Sequence, residues 1–264
     1  MKYGFIGCGN MGNPIAQALC KVTRDVMLSD RSGKARHLAD EWGISYGDPL
    51  TVARECGVIF LCVKPQNMEA VLAPLIPVLQ ENKPVLISIA AGLTVSKINS
   101  LSGGDLPVLR LMPNTPIAVE KGLIPYCRNA LLEDAALEQI LSDLRFCGTF
   151  DAIDESIMDA ASALSGCGPA YMYLFIETLA EGATQLGLSK DQAISYAAAT
   201  MAGAAEMVLR TGIAPEDLRK AVCSPGGSTL AGLAAMEELR FREAAIAGIH
   251  AAYMRAQELG NPSK

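Results

Sequence analysis

The chain has 264 residues, enough for one large domain or two ordinary ones; half are hydrophobic and 19% charged, the balance of a globular protein and not of a disordered one. A formal net charge of -6, with no local run of Lys or Arg, gives no basic field and argues against a nucleic-acid partner. The 8 cysteines form no C-x-x-C pair and the only histidines are His37 and His250, so no metal site is read, and the thiols fit a reducing cytoplasm.

Met1 and Lys2 lead straight into a strand-like run, without the pattern of a secretory signal. From there to about residue 152 short apolar runs alternate with amphipathic segments. Strands are predicted at Tyr3 to Ile6, Val26 to Ser29, Val58 to Val63, Val85 to Ile89, Val108 to Met112 and Thr149 to Ala152. Helices are predicted at Pro14 to Lys21, Lys34 to Trp42, Met68 to Leu79, Val95 to Leu101 and Glu133 to Arg145. This order predicts a Rossmann-like, doubly wound parallel sheet of the α/β class.

Beyond Glu155 the spacing turns helical throughout: Ser156 to Leu164, Ala170 to Leu186, Lys190 to Leu209, Pro215 to Val222, Thr229 to Glu237 and Arg242 to Leu259. The longest apolar run, Ala193 to Val208, is alanine-rich and broken by Glu206, which reads as a buried helix and not a membrane span. The expected domains are therefore 1–154, dinucleotide-binding, and 155–264, all-helical. A helical module this short and apolar completes its core against a second copy, so a homodimer at least is expected.

Three stretches carry chemistry. In "YGFIGCGNMG", Gly7, Gly9 and Gly12 follow the first strand and open the first helix: one makes the tight turn, one admits a pyrophosphate to the backbone, one lets helix and strand pack closely. At the end of the second strand, Asp30 suits the ribose hydroxyls of NAD, while Arg31, with Ser32 and Lys34, suits the 2′-phosphate of NADP. In "CSPGGSTLAG", Pro225, Gly226 and Gly227 break the helical pattern and Ser228 and Thr229 follow at once, which fits either a capped turn or an anion seat at a helix start. "CVKPQNM" puts Lys64 at a strand end where ligands sit in this architecture, and "RLMPNTP" brackets Asn114 and Thr115 with prolines.

Together "GFIGCGNMG", "FLCVKP", "ISIAAGLT", "RLMPNTP", "ALSGCGPAY" and "SPGGSTLAG" resemble pyrroline-5-carboxylate reductase over nearly the whole chain. The resemblance implies a Rossmann domain followed by a helical dimerisation domain, dimers assembled in many members into a ring-shaped decamer, and reduction of 1-pyrroline-5-carboxylate to L-proline in the final step of proline biosynthesis. It implies NADPH as cofactor, with NADH as the alternative. Cofactor-binding positions would be Ile6, Gly7, Gly9, Asn10, Met11 and Gly12 at the pyrophosphate, and Asp30, Arg31 and Ser32 at the adenosine end. Val63, Lys64, Pro65, Ala90, Ala91, Gly92 and Asn114 would lie toward the nicotinamide. Ser165, Gly166, Cys167 and Gly168, with Ser224, Gly226, Gly227, Ser228 and Thr229, would form the substrate pocket. The backbone of Gly226 to Thr229 would take the carboxylate, and Thr229, with Ser228, would serve the ring nitrogen.

Three positions depart from the family pattern: Cys167 replaces a usual serine, Asp30 stands where NADP-preferring members often have an uncharged residue, and Asp48-Pro49 lacks an asparagine some members place near the cofactor. The chemistry agrees with the shortage of histidine, because a cyclic imine becomes electrophilic by protonation of its own nitrogen and needs positioning more than a strong protein acid. The 3-hydroxyacid dehydrogenases, which share the two-domain layout, are disfavoured because Ala170 to Gly187 contains no lysine. A non-catalytic dinucleotide-binding regulator is disfavoured by the intact pocket motif.

Overall fold

The computed structural model describes residues 1–260; the last four residues of the expected helical domain lie outside the described residues. Eight strands form one sheet: β1 (Tyr3–Ile6), β2 (Val26–Ser29), β3 (Ser45–Tyr46), β4 (Val58–Leu61), β5 (Val85–Ser88), β6 (Val108–Leu111), β7 (Gly122–Arg128) and β8 (Gly148–Ala152), in the order β3-β2-β1-β4-β5-β6-β7-β8. The strands from β3 to β6 are parallel; β7 runs antiparallel to β6, and β8 pairs parallel with β7. The chain reverses its winding at β1, which lies between β2 and β4, so the crevice for a ligand opens at the carboxyl ends of those strands.

Seven helices cover this sheet: α1 (Gly12–Leu19), α2 (Lys34–Trp42), α3 (Pro49–Glu55), α4 (Met68–Leu72), α5 (Ile76–Asn82), α6 (Val95–Leu101) and α7 (Asp134–Asp143). Strand residues alternate between two cores. Tyr3, Phe5 and Phe60 join Ile15, Leu19 and Ile140 in one, with Phe5 and Phe60 stacked at 4.3 Å. Ile6, Ile59 and Leu61 join Val52, Met68 and Leu79 in the other. The segment expected as one helix over Met68 to Leu79 is divided, because Pro74 and Pro77 lack the N–H a continuous helix requires and the chain tightens at Ala73–Leu75, around Pro74. Pattern reading missed β3, α3 and β7: β3 has 2 residues, α3 opens on Pro49 behind its Asp48 cap, a pair that reads as a turn, and β7 contains Pro125 and Gly122.

After β8 the helical spacing expected over Ser156 to Leu164 resolves into three short pieces: a tight turn at Glu155–Ile157, α8 (Met158–Ala161), and a wide π-type turn at Ser162–Gly166. This segment is tied to the sheet by Arg110 of β6, which is 2% exposed. Its guanidinium meets Glu155 at 2.9 Å and Asp159 at 3.4 Å, and Glu155 also accepts a hydrogen bond from the Val95 amide at 2.7 Å. One arginine thus holds β6, the start of α6 and the segment leaving the sheet.

The chain divides into two compact units, residues 1–167 with the chain from Ala252 onward, and Gly168–Ala251. The second contains α9 (Gly168–Gln185), α10 (Lys190–Thr211), α11 (Pro215–Ala221), α12 (Ser228–Glu238) and most of α13 (Phe241–Gly260). Ser189 opens α10 with a reciprocal cap to Gln192, and Gly212 closes it in the left-handed conformation. Among the described residues of this unit, the buried hydrophobic side chains are only Ala180, Ala193 and Ala197, while Leu174, Leu209 and Leu239 are exposed at 63%, 80% and 83%. An apolar surface of this extent needs a cover.

The Arg110 cluster sets a stability order. Glu155→Ala, which leaves a buried guanidinium short of its nearer carboxylate, should cost about 2 kcal/mol, below the 3–5 kcal/mol of a fully buried pair because Glu155 is partly exposed. Arg110→Met, which removes the buried charge and leaves two carboxylates that reach water, should cost less. Denaturant titration of both variants checks the order.

Candidate active site

The carboxyl edge of the parallel strands gathers the glycine-rich loop, the end of β2 and the loops after β4 and β5. Register places Ile6 beside Ser29 and Leu61, and Leu61 beside Ser88, so Gly7, Asp30, Cys62–Lys64 and Ile89–Gly92 follow along one edge. Gly7 has φ 104 and donates its N–H to Ser29 O at 2.7 Å; a Cβ there would fall 2.5 Å from the Cys62 carbonyl oxygen. A Cβ on Gly12 would fall 2.4 Å from Gly7 O, so α1 reaches the strand only because that position is bare. Gly9 differs: a Cβ there meets no protein atom within 4 Å. Its bareness serves nothing in the packing of this chain, as expected where a ligand's pyrophosphate comes close to the main chain.

The start of α1 lacks a side-chain cap and carries no acidic residue in its first turn, leaving amides and the positive end of the helix dipole for an anion. Burial pushes the Cys8 thiol up to about 12 and raises that of Cys62 well above its ordinary value, so no thiolate opposes an anion here at neutral pH. Asn13 Oδ1, Ser29 Oγ and Asp30 Oδ1 are buried atoms with no hydrogen-bond partner among the described residues. Asp30 Oδ2 accepts from Ser32 Oγ at 2.7 Å. Bare Gly9, open amides and unpartnered polar atoms at a parallel-strand switch point fit a dinucleotide; Gly7 to Gly12 would hold its pyrophosphate and Asp30 to Ser32 its adenosine ribose.

After β4, Lys64 is extended and leads into the tight turn Pro65–Asn67, and after β5 Gly92 takes φ 76 ahead of α6, which Thr94 caps through the Lys97 amide. Ala90 is buried and its N–H donates to Ser88 Oγ at 3.3 Å. Asn114 is 7% exposed, and its amide is engaged by protein at both ends. Ser165, Gly166 and Cys167 belong to the first unit; Gly168 and Ser224 to Thr229 belong to the second. In the second unit, Gly226 takes φ 70, which favours glycine, and a Cβ on Gly227 would fall 2.4 Å from Ser224 Oγ and 3.1 Å from Ser224 O. Gly227 precedes α12, whose start has no side-chain cap and no acidic residue in its first turn. No side chain caps this helix start, which speaks against the capped-turn meaning of "SPGGST" and is compatible with an anion seat.

Residues 155–259 match the family model described as pyrroline-5-carboxylate reductase dimerisation, and residues 2–92 the one described as NADP oxidoreductase coenzyme F420-dependent. The pyrroline-5-carboxylate reductase of Escherichia coli strain K12 is 34% identical over 98% of this chain and 98% of its own. The chain belongs to the pyrroline-5-carboxylate reductase family. The Corynebacterium melassecola reductase is 35% identical over 97% of both chains. Among solved structures, Plasmodium falciparum pyrroline carboxylate reductase with NADP bound superposes with a TM-score of 0.89 at 30% identity, covering 99% of this chain and 98% of that one. The Streptococcus pyogenes reductase reaches 0.91 at 30% identity, with 98% of each chain covered. As a member of the reductase family, the chain is a pyridine-nucleotide-dependent oxidoreductase with a helical dimerisation domain. Among the described residues, no helix is long and apolar enough to cross a membrane, and no cluster of His, Cys, Asp and Glu has the arrangement of a metal site.

Sequence reasoning missed the Arg110 cluster, although a lone charge inside the apolar run "VLRLM" was its signal. It also missed the partners of Asn114, which lie far away in the chain and leave no local pattern.

The glycines separate two effects. Gly12→Ala should lower the melting temperature, because the methyl would fall 2.4 Å from Gly7 O and 2.9 Å from Cys62 Cβ. Gly9→Ala should melt like the parent yet raise the dissociation constant for nucleotide by about tenfold or more, the worth of one lost close contact. Thermal melts and nucleotide titrations on the two variants check this.

Proposed function

We propose that the chain reduces 1-pyrroline-5-carboxylate to L-proline, the last step of proline biosynthesis, in the cytoplasm and as a homodimer that in turn builds a decamer. The proposed domains are 1–154 for the nucleotide and 155–264 for dimerisation and substrate. The start of α12 carries the reading: Gly226 and Gly227 turn the chain so that Ser228 and Thr229 open a helix whose first amides no side chain occupies. A helix start of this kind suits a carboxylate. Full-length likeness to enzymes named for this reaction supports it.

Reduced nicotinamide, when bound, supplies the hydride. The remaining work falls to this chain's residues. Backbone amides of Gly226, Ser228 and Thr229 hold the substrate carboxylate, while the Gly227 amide donates to Ser224 O at 3.0 Å and braces the turn. The Thr229 hydroxyl, with Ser228 beside it, holds the proton on the ring nitrogen, so that the carbon of the C=N bond stays electron-poor until it receives the hydride and the nitrogen keeps its proton as the amine. In the first unit, Val63 to Pro65 with Ala90 to Gly92 flank the nicotinamide side, and Ser165 to Cys167 serve the substrate.

NADPH is the cofactor of this reading, supported by the relative with NADP bound and by exposed Arg31. NADH is the second reading, favoured by Asp30: a carboxylate with one oxygen already buried and unpartnered sits badly beside a 2′-phosphate and well beside a 2′-hydroxyl.

Purified protein should oxidise reduced nicotinamide in the presence of 1-pyrroline-5-carboxylate and yield proline, and the ratio of kcat/KM for the two cofactors decides between Asp30 and Arg31. Thr229→Ala should lower kcat by about a hundredfold or more, the scale of one lost transition-state donor, with nucleotide affinity unchanged. Near-normal turnover in that variant removes Thr229 from the mechanism; no turnover in the parent, despite nucleotide binding, refutes the reaction.

A further inference from the structure

The turn Ser162–Gly166 carries a defect written in its sequence. In an α-helix the carbonyl of each residue accepts from the amide four residues on. For Ser165 that residue is Pro169, which has no N–H to give. Ser165 is only 9% exposed, so solvent is a poor substitute, and a buried carbonyl left without a donor is costly.

The donor comes from a distant part of the chain. Asn114 Nδ2 donates to the Ser165 carbonyl at 3.0 Å, while Asn114 Oδ1 accepts from the Leu123 amide at 3.1 Å. The partners fix which end of the amide is which, since a carbonyl only accepts and a backbone N–H only donates. Asn114 itself is extended, between Pro113 and the tight turn Thr115–Val119, so its side chain starts from a stiff loop at the carboxyl end of β6. The turn it reaches is wound wider than an α-helix: Cys167 N donates to Ser162 O at 3.1 Å, five residues back, and Ser165 Oγ donates to Ala161 O at 2.8 Å. Wide turns of this type re-aim the residues that follow, and they occur frequently at functional sites.

We infer that Asn114 is a positioning residue for the reaction: it supplies the hydrogen bond that Pro169 denies Ser165, and so fixes the turn that presents Ser165, Gly166 and Cys167 to the substrate. This rests on the proposed reaction and on those residues lining its pocket. It gives Asn114 a role through Ser165, in place of the nicotinamide-side contact implied by the family resemblance.

Asn114→Asp keeps an oxygen for the Leu123 amide and removes the donor. In the full-length protein the KM for 1-pyrroline-5-carboxylate should rise about tenfold, the scale of one mispositioned hydrogen-bonded contact, while the dissociation constant for NADPH, read by fluorescence titration, stays within about twofold. Adding Pro169→Ala gives Ser165 a main-chain donor, and the double variant should have a lower KM than Asn114→Asp alone. Should Asn114→Asp not fold, Asn114→Ala, which removes the donor without adding a charge, is read by the same two constants. Weakened NADPH binding with an unchanged imine KM overturns the inference in favour of a direct cofactor contact. An unchanged KM with only a lowered melting temperature overturns it in favour of a purely structural bond. Absence of turnover in the parent protein removes the reaction on which the inference rests, an outcome distinct from either.

Discussion

A guanidinium sealed within a sheet must meet its counter-charges, and this requirement governs where the chain goes once it leaves β8. Arg110 draws Glu155 and Asp159 onto the end of the parallel strands, and Glu155 in turn holds the first amide of α6. Water cannot substitute for these partners at 2% exposure. The path from residue 155 to 167 is therefore set by the sheet. Asn114, four residues beyond Arg110, takes hold of the same path further along, at the Ser165 carbonyl. The nucleotide-binding sheet and the beginning of the substrate motif are built on one strand and its loop.

Two helix starts of the same construction serve as anion seats in the proposed reaction. Each begins with a glycine at positive φ, Gly7 at 104 and Gly226 at 70, and each ends in a helix start that no side chain caps. Side chains close the starts of α3, α6 and α10, through Asp48, Thr94 and Ser189, whereas α4, α5, α7 and α11 are uncapped too, so what sets α1 and α12 apart is the glycine-rich turn that leads into an open start. Open starts at α1 and α12 leave unsatisfied amides, a cost that a bound pyrophosphate and a bound carboxylate remove. Reduction of an already cationic imine requires little more than this arrangement with a hydroxyl at the nitrogen, consistent with a chain holding 2 histidines, neither of them in a motif.

Much of this was legible in the amino-acid order, because it rests on local rules. Glycine spacing after a short apolar run announced the nucleotide loop, and the alternation of buried strands with amphipathic helices announced the parallel sheet up to β6. The antiparallel turn into β7 was not legible, since Pro125 and Gly122 disguise that strand and nothing local specifies its direction. The broken helix after residue 155 was half visible: Pro169 states which carbonyl lacks a donor, but the replacement, Asn114, is 51 residues away and only the fold brings it near. The helical unit reads as amphipathic helices, yet among its described residues the buried hydrophobic side chains are alanines and many large ones, Leu174, Leu209 and Leu239 among them, are exposed, a property of packing that periodicity does not reveal.

The claim at the centre of this account is that the chain adds a hydride to the ring carbon of 1-pyrroline-5-carboxylate. The most direct measurement supplies reduced nicotinamide carrying deuterium at its reactive carbon and examines the proline formed by mass spectrometry and NMR. Deuterium on the ring carbon that was doubly bonded to nitrogen, the one that does not bear the carboxylate, from only one of the two faces of the labelled cofactor, is the predicted result. Proline without deuterium from either face, or no proline at all from a protein that binds the cofactor, would contradict it.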